Sequence, residues 1–175
     1  MDKRVGHGPP GRDQQKPLNE RGVVDLADAR VRIRSRPKPS NESLLRELDE
    51  IRSLLDQGLS TEAKQRLATL ISNARNFPSV LALARCALST ALEQQGHYRD
   101  SLAAVSMYES PESRAKLDQQ TISYLRVQIG LGYNYNGDHP KAIAMLQATL
   151  REYAESGAAN LGPIYAALSR TYRSI

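Results

Sequence analysis

Cysteine, tryptophan and phenylalanine are almost absent from this chain of 175 residues, which has one cysteine, no tryptophan and one phenylalanine. The single cysteine, Cys86, excludes an internal disulfide, a cysteine-rich zinc site and a CxxC redox motif. With only 5% aromatic residues, the composition suits aliphatic and alanine-rich helix packing better than a β-sandwich. We therefore expect an all-α protein with one hydrophobic core, because its length is typical of one domain.

Long apolar runs are also absent. The run of residues 80–84 is far shorter than the roughly 20 apolar residues that cross a bilayer. The first residues lead into glycine and proline rather than into an apolar stretch, so no secretory signal is predicted. We expect a cytoplasmic protein that does not interact with membranes.

Candidate catalytic and metal-binding groups are few. His7 lies near the N-terminus, whereas His97 and His139 each follow a glycine in separate segments, unlike metal ligands paired on one helix. No histidine or aspartate neighbours Cys86 in sequence to activate its thiol, and the acidic residues lack the pairing that acid–base catalysis uses. The sequence therefore predicts that the protein is not an enzyme and binds no metal or cofactor.

The net positive charge is concentrated at the N-terminus. Residues 1–40 hold ten Lys/Arg and five Asp/Glu, whereas residues 41–175 hold fourteen of each. The first 40 residues also contain five of the nine prolines and few large apolar side chains. Such a segment cannot bury enough surface to offset the entropy of ordering it. We therefore predict a disordered basic tail over 1–40 and a folded domain over 41–175.

One part of this tail, residues 30–38, has five cations at alternate positions and no acidic residue. The cations are Arg30, Arg32, Arg34, Arg36 and Lys38. Extended backbone would place them on one side, which suits an arm that follows nucleic-acid phosphates or an acidic surface. We favour the alternative, a solvated linker, because no aromatic residues interleave with the cations. Nucleic acid is therefore not the favoured partner.

Apolar residues recur at helical spacing after residue 40, in three successive pairs of segments. The first stripe consists of Leu44, Leu48, Ile51 and Leu55. Gly58, Gly96 and Gly137 separate the two segments of each pair, and they lie 38 and 41 residues apart. We predict helix pairs turning at these glycines. The predicted boundaries include an N-cap at Ser60, a helix over 79–95, a helix from residue 98 that ends at Pro111, and an N-cap at Asp138.

The third pair resembles a tetratricopeptide repeat. The residues that carry the resemblance are Ile129-Gly130, Tyr133, Gly137-Asp138, Ala142, Leu146 and Leu150. The second pair matches less closely, with Ser101 where the family prefers alanine, and the first pair is weaker still. Small residues such as Gly130 let the helices of a pair approach closely. The resemblance implies a right-handed superhelical array of antiparallel helix pairs, with about three and a half repeats over 41–175.

The half repeat lies at the end of the sequence. Another first-helix stripe, over about 161–174, consists of Leu161, Ile164, Tyr165, Leu168 and Tyr172. A terminal repeat needs a polar outer face because no neighbour covers it, and this stripe is only partly polar. We expect either that the chain is a fragment of a longer array or that this helix forms a homo-oligomer with a second copy.

Stacked helix pairs leave a concave groove lined mainly by their first helices, which suits an extended peptide or a helix of a protein partner. The residues that spacing places on it are Arg52, Thr90, Glu93, Tyr124, Gln128, Leu131, Asn134, Tyr135, Arg170 and Arg173. Some members of the family hold a partner's terminal carboxylate with lysine and asparagine at set first-helix positions. That clamp is not reproduced here, since the corresponding positions include Arg52, Cys86, Thr90, Val127 and Leu131.

The leading prediction is a protein-interaction scaffold that binds a peptide or helix in the groove. One alternative is a nucleic-acid-associated or regulatory protein that binds through its basic arm. Another is a secretion chaperone of the tetratricopeptide repeat type, although the acidic balance usual for those proteins is not seen here. The last is the sensor or interaction part of a larger multidomain protein.

Overall fold

Eight α-helices and two short 3₁₀ helices make up the folded part of the chain. A computed structural model describes residues 39–156 and 160–175, and this part contains no strand. The α-helices are α1 (Asn41–Asp56), α2 (Ser60–Asn73), α3 (Pro78–Gln94), α4 (Tyr98–Val105), α5 (Pro111–Arg114), α6 (Gln119–Tyr135), α7 (His139–Glu155) and α8 (Gly162–Tyr172). The 3₁₀ helices are Ala74–Asn76 and Ser106–Tyr108. The all-α prediction is confirmed for the described residues, whereas the predicted tail and its basic arm lie outside them.

The helices pack as hairpins joined in series. The first helix of each pair contacts its own second helix and the first helix of the next pair: α1 contacts α2 and α3, α3 contacts α4 and α6, and α6 contacts α7 and α8. Glu50 and Arg66, which form an ion pair of 2.6 Å, lie at equal sequence distances from Gly58. Such symmetry about the turn means that α1 and α2 run antiparallel.

Glycine at each turn is required by the backbone. Gly58, Gly96 and Gly137 have φ angles of +77°, +77° and +83°, and no other described residue has a positive φ. L-residues with a side chain rarely adopt this left-handed conformation. The amide of Gly58 donates to the Leu55 carbonyl at 3.0 Å and the next amide donates to the Leu54 carbonyl at 2.9 Å, which satisfies the free carbonyls of the helix end. The three predicted turn positions are confirmed.

Three predicted boundaries differ from the structure, and the smallest difference is in the helix predicted over 79–95, which spans Pro78–Gln94. The N-cap of α2 is Leu59 rather than Ser60, because the Leu59 carbonyl already accepts the first helical hydrogen bond, from the Ala63 amide at 3.0 Å. Pro111 does not end the helix that starts at Tyr98: α4 ends at Val105, and Pro111 instead begins α5. Proline suits that first turn because its missing N–H has no partner to lose there. The predicted cap at Asp138 is confirmed.

The core is a continuous series of aliphatic clusters between successive helices. Its largest fully buried side chains include Leu48, Ile51, Leu67, Leu125 and Leu146. A Cβ atom added at Gly130 would lie 2.8 Å from Cγ of Leu146, so α6 and α7 approach each other at this glycine. No helix in the described part of the chain combines the length and apolar character that crossing a bilayer requires.

Candidate functional site

A cleft opens where α1 meets the first halves of α3 and α6. It encloses about 740 Å³. Its lining residues are Asn41, Leu45, Arg52, Asn76, Phe77, Pro78, Ser79, Val80, Leu83, Asp118, Gln120, Thr121 and Tyr124. We call it the first-helix cleft. Two of the predicted groove residues, Arg52 and Tyr124, therefore lie in the same concave site.

Arg52 lies against the ring of Tyr124. Its guanidinium carbon is 5.8 Å from the ring centroid, within the range of a cation–π interaction. The guanidinium Nη1 is also 3.3 Å from Oδ1 of Asp49, one turn earlier on α1. Because Asp49 is largely exposed, this ion pair is weak and does not prevent Arg52 from binding another anion.

Asp118 lines the cleft at its edge and precedes the first residue of α6. Its carboxylate accepts from the Thr121 amide at 2.8 Å, from the Thr121 hydroxyl at 2.7 Å and from the Ser79 hydroxyl at 2.8 Å. Burial opposes ionisation of Asp118, but these hydrogen bonds outweigh it and lower its pKa. The aspartate therefore caps α6 and joins α6 to the start of α3.

Charge interactions connect four of the predicted groove residues. Burial raises the pKa of the Cys86 thiol, while Arg52 lowers it and Glu93 raises it further. Burial also raises the pKa of Tyr124, and both Arg52 and Glu93 influence that phenol. The positive charge of Arg170 in turn favours ionisation of Glu93. The charges of Arg52 on α1 and of Arg170 on α8 thus act on ionisable groups of α3 and α6.

Glu93 lies in a polar network beneath this surface. Its Oε1 accepts from Gln128 Nε2 at 2.8 Å, from the Ser101 hydroxyl at 2.9 Å and, at 3.4 Å, from the Ser89 hydroxyl. Ser89 and Ser101 are fully buried and their hydroxyl oxygens are 2.8 Å apart. Burial raises the pKa of Glu93, and the hydrogen bonds from Ser101, Ser89 and Gln128 oppose that rise. The network joins α3, α4 and α6.

This network explains the presence of a serine at position 101. A hydroxyl is small enough for the close approach of α3 and α4, and it also supplies a hydrogen bond to a buried carboxylate. Two serines facing each other across the turn, with Glu93 one helical turn after Ser89, are the sequence pattern that accompanies it. Helical spacing places Glu93 in the predicted groove but does not reveal this network.

The structure places two further predicted groove residues in the interior. Gln128 is only 6% exposed and its amide is used by Glu93 and Ser89. Asn134 is 5% exposed, and its Oδ1 is 3.0 Å from Nδ1 of His139. Both side chains form the floor of the predicted groove rather than its open surface.

The remaining predicted groove residues stay at least partly accessible. They are Arg52, Thr90, Tyr124, Leu131, Tyr135, Arg170 and Arg173, which we call the first-helix face. The hydroxyl of Thr90 donates to the Cys86 carbonyl at 3.2 Å, so Thr90 offers mainly its methyl group. Tyr135 stacks on Tyr98 with centroids 5.2 Å apart.

Arg170 is held in place by Tyr135 at the far end of this face. Its Nη1 donates to the Tyr135 hydroxyl at 2.6 Å, so α8 presents its guanidinium next to α6. This contact uses a neutral partner and leaves the positive charge of Arg170 uncompensated by that contact. The described residues contain no group of three His, Cys, Asp or Glu side chains arranged to hold a metal ion.

Comparison with known proteins identifies no relative. No protein-family model, no curated protein and no solved structure matches this chain.

Proposed function

We propose that the described helices form a solenoid of the tetratricopeptide repeat type, with a right-handed superhelical course. Three features support this assignment. The turn glycines Gly58, Gly96 and Gly137 recur at similar spacing, Gly130 allows close approach of Leu146, and each first helix contacts the next first helix. Repeated hairpins of this kind stack into a curved array whose first helices line the concave side.

On this basis we propose that the protein is a non-catalytic interaction scaffold, which binds an extended peptide or a helix of a protein partner on the first-helix face. The observation that carries the proposal is the first-helix cleft, a concavity of about 740 Å³ whose walls combine leucine and valine with polar groups. Apolar sites with a few oriented polar groups are typical of ligand recognition. The partly exposed side chains of Arg52 and Tyr124 are available for such contacts.

The experiment is a selection of random 12-residue peptides displayed on phage against the immobilised full chain. The variant that blocks the first-helix cleft is Leu45→Arg, because Leu45 is 36% exposed and lines the cleft. The matched control is Leu59→Arg, at a leucine that is 45% exposed and lies outside the cleft. We expect peptides that bind the wild type and Leu59→Arg and that fail to bind Leu45→Arg.

Gln120→Arg provides a second blocked variant, because Gln120 is exposed and also lines the cleft. Thermal unfolding followed by circular dichroism verifies that each variant is folded. The proposal is refuted if no peptide is enriched, or if the enriched peptides bind both blocked variants as well as the wild type.

The excess of positive charge in residues 1–40 supports a second candidate function, binding of nucleic acid by residues 30–38. Phosphate binding releases counterions, so its affinity falls steeply as salt concentration rises. The test is a salt titration of a fluorescent 20-nucleotide RNA with the full chain and with a variant whose five cations in 30–38 are changed to glutamine. Equal affinities for the two proteins would exclude this function.

A further inference from the structure

The first-helix face presents three arginines to a ligand, and the exposed Asp49 is the one ion-pair partner that they have within the described residues. Arg52 is paired only with the exposed Asp49, and Arg170 contacts the neutral hydroxyl of Tyr135. Within the described residues, neither Arg170 nor Arg173 has a carboxylate at ion-pair distance. Guanidinium groups in this state bind carboxylates well, because they can donate two parallel hydrogen bonds.

The carboxylate nearest to the middle of the face is withdrawn from ligands. Glu93 accepts hydrogen bonds from Ser89, Ser101 and Gln128 beneath the surface. Burial raises its pKa, and the three donors on its Oε1 compensate part of the negative charge that would repel an acidic ligand. The Glu93 carboxylate is therefore occupied by donors of the protein itself, as is that of Asp118 in the cleft. Arg52 and Arg170 have fewer such partners and are the cations that an acidic ligand can reach.

The two arginines are separated along the face. Arg52 lies over the ring of Tyr124 and Arg170 donates to the Tyr135 hydroxyl, and these two tyrosines of α6 are about 16 Å apart along the helix at roughly 1.5 Å per residue. The two arginines can therefore contact different parts of a bound segment. Between the arginine positions, Thr90 and Leu131 offer mainly apolar surface.

The cleft beside Arg52 is suited to an apolar side chain. Leu45, Phe77, Val80 and Leu83 contribute aliphatic and aromatic surface to its wall. Tyr124, which is 41% exposed, forms the side that Arg52 covers. A ligand that places an apolar group here brings its neighbouring residues next to the Arg52 guanidinium.

We propose that the segment bound on the first-helix face is acidic, with a large apolar side chain in the first-helix cleft, one carboxylate at Arg52 and a second carboxylate at Arg170. This inference rests on the proposed function and specifies the chemistry of the partner. A polypeptide fits better than a nucleic acid, because leucine, valine and proline side chains form much of the cleft wall, and Arg52 covers the ring of Tyr124, which reduces the aromatic surface open to base stacking.

The test uses the peptides whose binding is lost in Leu45→Arg. We expect them to be enriched in aspartate and glutamate around a leucine, isoleucine or aromatic residue. One such peptide, synthesised with a fluorophore, is then titrated by anisotropy with the wild type, Arg52→Gln, Arg170→Gln and the control Arg151→Gln. Arg151 is an exposed residue of α7, the second helix of the third pair, and does not belong to the first-helix face.

We expect about tenfold weaker binding for Arg52→Gln and for Arg170→Gln, the loss typical of one charge-assisted hydrogen bond, and no change for Arg151→Gln. Binding should also weaken as salt is raised from about 50 to 500 mM, because the charges are partly exposed. Exchange of the peptide's acidic residues for their amides should reproduce the loss.

Three outcomes overturn the inference. Cleft-dependent peptides without acidic enrichment, or equal affinities for all three arginine variants, refute the acidic partner and leave the scaffold function standing. Displacement of the peptide by a 12-nucleotide oligothymidine at similar concentration would assign the arginines to phosphate instead. The absence of any cleft-dependent peptide refutes the scaffold function, and the inference falls with it.

Discussion

Replacement of Gly130 by alanine tests whether close contact between α6 and α7 holds the third hairpin together. The new methyl group would lie 2.8 Å from Cγ and 2.9 Å from Cδ2 of Leu146. Leu146 is fully buried, so it has no open space into which it can move. Overpacking of this kind costs about 1–3 kcal/mol, whereas alanine gains at most about 1 kcal/mol over glycine within a helix.

We therefore expect Gly130→Ala to lower the free energy of unfolding by about 1–2 kcal/mol, measured by urea titration with circular dichroism at 222 nm. The corresponding fall in Tm is about 3–8 °C. Gly132→Ala is the matched control on the same helix, where the nearest atom is Cδ1 of the half-buried Leu102 at 3.0 Å. The end of that side chain can move, so the loss should be smaller. Equal or higher stability of Gly130→Ala, or a greater loss in the control, would refute the reasoning.

Three further predictions concern groups whose pKa the fold changes. Asp118→Ala should lower the free energy of unfolding by about 1–2 kcal/mol at neutral pH, as loss of an N-cap does. The loss should exceed that in Asp138→Ala, because the Asp138 carboxylate accepts only from an amide at 3.2 Å. Since hydrogen bonds lower the pKa of Asp118, the difference in stability between wild type and Asp118→Ala should disappear in urea titrations as pH falls through that pKa. Glu93 has a raised pKa, so its contribution to stability is greatest at low pH and is lost as pH rises. The stability of Glu93→Gln relative to wild type should therefore increase between pH 5 and pH 8. The opposite trend would contradict the raised pKa of Glu93. Cys86 is fully buried and burial raises its pKa, so a thiol reagent such as DTNB should modify it only on unfolding, and complete modification of the native protein within minutes would contradict its placement.

The turn positions could be predicted from the sequence because their chemistry is local. A residue with φ near +80° is almost always glycine, and Gly58, Gly96 and Gly137 each follow a stripe of apolar residues with helical spacing. Helix starts were less certain because several residue types suit neighbouring positions. A serine just after the turn resembles an N-cap, yet Leu59 occupies that position and Ser60 is already helical.

The polar network could not be predicted because it depends on three helices that meet only in the folded chain. Spacing along α3 places Glu93 at the edge of the groove, and nothing in that spacing reveals that α4 and α6 supply Ser101 and Gln128 as donors. The same limit applies to Asn134, whose partner His139 lies beyond the turn. Burial of these groups changes the composition of the face that a partner meets.

The difference between buried groove residues and those on the first-helix face determines which substitutions can test partner binding. Substitution of Gln128 or Glu93 would leave buried polar groups without partners, which commonly costs 1–3 kcal/mol each, so lost binding in such variants would not distinguish recognition from altered packing. Arg52 and Arg170 instead make contacts at the surface, with Asp49 and Tyr135. Their replacement by glutamine removes a charge with little effect on the core. A change in partner affinity at these two positions therefore reports on the face itself.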